Sequence, residues 1–137
     1  MGKRLLASLA SFAVLAVLGF LVFGLFMGSV WERPSMQPIM RASAFDPTAT
    51  IAWLITIAIV SHLLGHFVTG FWFEKQKDAN KLAWQYGLAV GIVFALPSVN
   101  NFFYFNLPIE VPVANVLYSL IAFPLAAMAY AKVNRKN

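Results

Sequence analysis

The chain has 137 residues, 61% of them hydrophobic and 11% charged, with a mean hydropathy of +0.75. Ordinary soluble domains are roughly 45–50% apolar and about 25% charged, so a water-soluble fold of this length would be left with apolar surface it could not hide. The net charge is +5 and the pI is near 9.8, yet every Lys and Arg sits at a chain end or between apolar runs, the way charges sort around membrane spans, which requires no nucleic-acid partner.

The first apolar run is Leu5 to Met27, behind Lys3 and Arg4. Its apolar part is about twice the usual 7–15-residue core of a secretory signal, and no A-x-A-like site comes after it. It reads as a retained first span, at about 5–27. Gly24 and Gly28 make a G-x-x-x-G pair near its end, a spacing that lets helix backbones approach closely.

Ser29 to Thr48 reads as a linker, because Pro34, Pro38 and Pro47 break helix continuity. Trp31, Met36, Ile39, Met40 and Phe45 place apolar groups in it, so it is expected on the membrane surface or under a partner. Glu32 and Arg33 are expected to pair locally. Asp46-Pro47-Thr48 is a helix start signal.

The second span is placed at about 49–73. It holds the only two histidines, His62 and His66, one helical turn apart on a common face. A lipid-facing imidazole is unfavourable, so that face is expected to turn inward, with the other helices arranged around it. Glu74 to Lys81 comes next as a charged, solvated turn.

The third span is placed at about 82–99. Ala83, Gly87, Gly91 and Ala95 recur every four residues and form a small-residue groove, the clearest helix-packing signal in the chain. Pro97 is expected to weaken its last turn, and Asn100 and Asn101 to cap its end or to line a vestibule with Asn106 and Asn115. Phe102 to Pro112 reads as a re-entrant or interfacial connection. The fourth span is placed at about 113–131, with Pro124 as a kink point, before Lys132, Arg135 and Lys136.

The fold class expected is therefore all-α: a single integral membrane domain, residues 1–137, of four transmembrane helices with both termini in the cytoplasm. With that topology the inner segments hold Lys3, Arg4, Lys75, Lys77, Lys81, Lys132, Arg135 and Lys136, and the outer ones only Arg33 and Arg41. This is a strong positive-inside bias. Trp31 and Trp53 then fall at the outer boundary, and Trp72 and Trp84 at the inner one.

Candidate chemistry centres on His62, His66, Thr69, Gln85 and Asn115 as a polar intramembrane site. H-x-x-x-H on a helix can give two imidazoles to one metal, but it lacks the Glu of a metalloprotease motif. Two histidines on one helix cannot grip a haem from both sides within one subunit, so a haem would need a Met or a second copy. The plainer reading is that both are buried and bonded to neighbouring helices. Gln85 enters from the cytoplasmic side, either reaching His66 or resting at the interface. With no Cys, no disulfide or thiolate site is possible. No cofactor is required by the sequence.

The segment GFLVFGLFMGSVW, with Gly24, Gly28 and Trp31, resembles the opening of small uncharacterised bacterial membrane proteins with four helices. That family has a glycine-rich first helix ending in an aromatic G-x-x-x-G-x-x-W segment. The resemblance covers about a fifth of the chain. It implies the bacterial cytoplasmic (inner) membrane and carries no activity with it.

Three functions remain open. The first is a non-catalytic accessory or structural subunit docking onto a larger membrane complex. The second is a small oligomeric transporter or channel with a polar path through His62 and His66. The third is a haem-, metal- or quinone-binding redox protein. Phosphate loops, nucleophile elbows and intramembrane acidic pairs do not occur, so a hydrolase or an ATP-driven pump is poorly supported, and a non-enzyme is the expectation. The expected surroundings are the lipid bilayer and either further copies of the chain or a membrane-protein partner.

Overall fold

Apolar runs of this length wind into helices because only a helix satisfies every backbone N–H and C=O from within its own segment, as a low-dielectric surrounding demands. The computed structural model describes residues 2–36, 47–71, 79–104 and 107–134, with side chains described throughout except at 48, 49, 53, 63–71, 79 and 102–104. No strand occurs among the described residues. Helix α1 is Gly2–Gly19, and it continues as a π-helical segment, Phe20–Phe26. The short α2 is Gly28–Trp31, α3 is Pro47–Phe71, α4 is Ala79–Tyr104 and α5 is Glu110–Asn134.

Three stretches are long and apolar enough to cross a membrane: Gly2–Phe26, Asn80–Asn101 and Glu110–Asn134. At 1.5 Å per residue they reach roughly 33–38 Å, against about 30 Å of hydrocarbon. This is the make-up of a multi-pass membrane protein. A shorter apolar stretch, Thr50–His62, lies in α3.

The packed faces are rich in small side chains, beside larger ones such as Leu15 and Phe123. Ala7, Ala83, Ala122 and Ala126 are wholly buried, while Phe26 is 80% exposed and Val93 63%. Small residues on packed faces suit lipid, where close backbone packing holds helices together.

The helix at the centre is α5, which packs against α1, α3 and α4. It runs antiparallel to α1: Ala7 meets Tyr130 near one end, and Met27 and Val30 meet Val111 near the other. It is also antiparallel to α4, with Ala83 beside Ala127 and Ala131, Gly87 against Pro124 and Gly91 against Ser119. Helix α3 supplies Ile57 to a core of Leu15, Ala122, Phe123 and Ala126.

Several sequence expectations need correction. The inward face of α3 carries Ile57 and Ser61, and His62 is exposed. The molecule is therefore organised around α5 and not around the histidine helix. Helix α4 does not stop at residue 99; it runs through Pro97, Asn100 and Asn101 to Tyr104, so the two asparagines lie inside the helix and cap nothing. A proline removes one backbone donor and disturbs one turn, and the next turn resumes the ladder. Helix α5 begins at Glu110 and not at 113. The interval between the two helices is therefore residues 105–109. The first part of the linker is also structured: α2 and Met36 fold back on the start of α5, with Met36 buried beside Val111.

Candidate functional site

Three polar side chains within the helices bond their own backbone. Ser61 donates its hydroxyl to the Ile57 carbonyl at 2.7 Å, and Thr56 to Ala52 at 2.8 Å. The Asn115 amide donates to Val111 at 3.1 Å. These are bonds to the preceding turn, the usual refuge of short polar side chains in helices. Ser11 is different. It is wholly buried, and its hydroxyl has no hydrogen-bond partner among the described residues.

Polar contacts over longer range gather toward the Glu110 end of α5. Tyr118 donates its hydroxyl to the carbonyl of Leu15 on α1, 2.9 Å away. Its ring stands edge-on to Phe23, with centroids 5.2 Å apart. The Trp31 indole N–H donates to the Phe23 carbonyl at 3.0 Å. Beyond them the Arg33 guanidinium donates to a Glu110 carboxylate oxygen at 2.8 Å, with both side chains about two-fifths exposed. Arg33 thus pairs across the fold and not with Glu32. The carboxylate of Glu110 also lies in the first turn of α5, where the helix dipole favours negative charge.

All of these contacts bear on one backbone segment. In the π-helical stretch each amide reaches back five residues, and Met27 N–H bonds the Val22 carbonyl at 3.0 Å. Tyr118 grips the chain just before that stretch, Trp31 grips it near its end, and the ion pair anchors the residues beyond α2. Hydroxyl, indole and carbonyl groups in this arrangement hold a backbone conformation.

Of the polar residues singled out from sequence, only His62, Gln85 and Asn115 have described side chains. His62 is exposed on α3, and the side chains of His66 and Thr69 lie outside the described residues. Gln85 is exposed on α4, two residues after Ala83 at the Lys132 end of α5. Asn115 is half-buried, one turn from Val111 at the opposite end. Roughly ten residues of α5 separate those two levels, about 15 Å, so Gln85 and Asn115 do not share a site. Among the described residues, no three of His, Cys, Asp or Glu come together as a metal site would need.

The helix-packing residues divide in two. Ala83, Gly87, Gly91 and Ala95 are all buried, and the two glycines lie directly against the α5 backbone. On the first helix, Gly24 is exposed and a methyl group there would meet only the Phe20 ring, while Gly28 has open space around it. Sequence reasoning missed Tyr118, Glu110 and the π-helical winding. Tyr118 was an available signal, since a tyrosine placed mid-span needs a partner for its hydroxyl.

Compared with protein families, curated proteins and solved structures, the chain matches none.

Proposed function

We propose that this chain is a four-span membrane protein of the cytoplasmic membrane, with both termini inside, that serves as a non-catalytic accessory subunit of a larger membrane assembly. The direction of the helices supports four crossings. Helices α1 and α4 both run antiparallel to α5, so they run parallel to each other. Between the end of α1 and the start of α4 the chain must therefore return across the bilayer. Helix α3 is the one long described element in that interval, and its 25 residues reach about 37 Å. The basic residues agree with inside termini: Lys3 and Arg4 open α1 at the same end where Lys132 closes α5.

The observation favouring a docked role is the outer face of α3. Ile51, Ile55 and Ile59 are exposed there, and His62 is exposed with them. An apolar face of this kind, with isoleucines recurring one turn apart, is a surface that packs against another protein or against lipid. The transporter reading rests on the same face, with further copies of the chain in place of a different protein.

Purification of the tagged chain from its native membrane in mild detergent is the test. A stoichiometric partner, weakened by His62→Ala, supports the accessory role. A homo-oligomer of this chain alone favours the transporter reading, and a lone monomer in a lipid belt overturns both. For the topology, a membrane-impermeant maleimide should label a cysteine at Ser35 in intact cells and spare one at Asn134; the reverse pattern overturns it.

A further inference from the structure

The bond between Trp31 and Phe23 is more than a local contact, because it occupies a contested acceptor. In an α-helical ladder the amide of Met27 would take the carbonyl four residues back, that of Phe23. It takes Val22 instead, at 3.0 Å, and the Trp31 indole occupies the Phe23 carbonyl that is thereby released, also at 3.0 Å. One carbonyl thus has two possible donors, and each donor belongs to a different winding of the chain.

We propose that Trp31 is a register lock: its indole N–H holds the outer end of the first helix in the π winding, and its release lets Met27 rewind onto Phe23 in the α winding. Rewinding by one residue turns the chain beyond Met27 by about 100° and moves it by about 1.5 Å along the axis. The segment that turns is tied to α5 through Val30, Met36 and Val111 and through the Arg33–Glu110 ion pair. The winding of a membrane-embedded helix is in this way coupled to an exposed ion pair at its end. The G-x-x-x-G-x-x-W pattern acquires a physical reason, with the Trp placed one residue after the span of two helical turns that lets it reach back to Phe23.

Tyr118 provides the discriminating comparison. Its bond goes to Leu15, a carbonyl that Met27 does not compete for in either winding. Loss of the Tyr118 hydroxyl loosens the helix pair without handing an acceptor to the rival donor.

The experiment uses the full chain in detergent micelles with spin labels on cysteines at Ser35 and Leu117, both exposed positions. The expected result is a single narrow distance in the otherwise unchanged protein. Trp31→Phe, which keeps an aromatic ring and removes the donor, should add a second population displaced by about 3–4 Å, the chord of a 100° turn at the helix backbone radius. Tyr118→Phe should leave one population. A Trp31→Phe distribution identical to the parent overturns the proposal, and so does a Tyr118→Phe shift as large as that of Trp31→Phe. A second measurement needs no folded variant. In the unsubstituted protein the Trp31 indole hydrogen should exchange with solvent at least tenfold more slowly than that of exposed Trp84, and equal rates overturn the lock.

Discussion

Gly87 and Pro124 meet backbone to backbone. A methyl group on Gly87 would stand 2.5 Å from the Pro124 Cα and 2.7 Å from the Phe123 carbonyl oxygen. Gly91 is placed in the same way against the Ser119 carbonyl. The fully buried Pro124 is therefore not simply a kink point: it is the surface that the glycine of the neighbouring helix is shaped to meet.

Gly87→Ala and Gly91→Ala are expected to destabilise the fold, because the atoms they strike are backbone and cannot step aside. Overpacking of this kind costs about 1–3 kcal/mol, more than the roughly 0.5–1 kcal/mol that alanine returns in helix propensity. Gly28→Ala, in open space, should show no such loss. Unfolding in mixed micelles with increasing denaturing detergent compares the three, and equal stability of Gly87→Ala and Gly28→Ala would contradict the close contact.

Ser11 and Ser61 should respond to alanine with different signs. Ser11 is buried without a partner among the described residues, an arrangement that costs about 1–3 kcal/mol for a polar group, so Ser11→Ala should raise stability. Ser61 bonds Ile57 on its own helix, and Ser61→Ala should be neutral to mildly destabilising. The same micelle titration checks both, and a marked loss in Ser11→Ala would show that its hydroxyl has a partner in solution.

Tyr118→Phe removes one interhelical bond and keeps the ring against Phe23. Hydrogen bonds between membrane helices average about 0.6 kcal/mol, so the loss should be small but measurable. Tyr118→Ala should cost several-fold more, since it also removes the aromatic contact and leaves a cavity.

The Arg33–Glu110 pair is exposed, and exposed pairs contribute little to stability. Arg33→Glu should loosen the segment after α2 by placing like charges together, seen as faster proteolysis near Arg33. Adding Glu110→Arg should restore most of the protection but not all, because a cation then sits at the positive end of the α5 dipole. The restored part should shrink as salt is raised. Proteolysis unchanged in Arg33→Glu would mean that the pair does not hold the segment.

Much of the helical content was legible in the sequence because apolar runs flanked by Lys and Arg leave few alternatives. The groove of Ala83, Gly87, Gly91 and Ala95 was legible as a packing surface, since four small residues at one-turn spacing define a face. Which helix fills it was not, because α5 offers its backbone at Ser119 and Pro124, and backbone carries no sequence signature. The same reason hid the centre of the fold. His62 and His66 drew attention as the polar residues of a long apolar run, while the packing face of α5 is rich in alanine and its long-range polar signal, Tyr118, was passed over. The helix ends at Tyr104 and Glu110 were misplaced because Pro97 and Pro112 weigh heavily in local reasoning, whereas a continuing helix loses little at each. The π winding of Phe20–Phe26 was invisible, since Phe, Leu and Val suit either ladder equally. The Arg33–Glu110 pair joins positions 77 residues apart, beyond the reach of any local pattern.

The placement of α5 also governs how the molecule must be assembled. It is the last of the described helices to leave the ribosome, yet α1 has its main neighbour there. The earlier helices therefore have to wait in the membrane without that neighbour while roughly a hundred further residues are made. Hairpin closure between α4 and α5 then supplies, in one late event, the surface on which the waiting pieces condense. A ribosome paused before residue 110 would therefore leave α1 without its main neighbour.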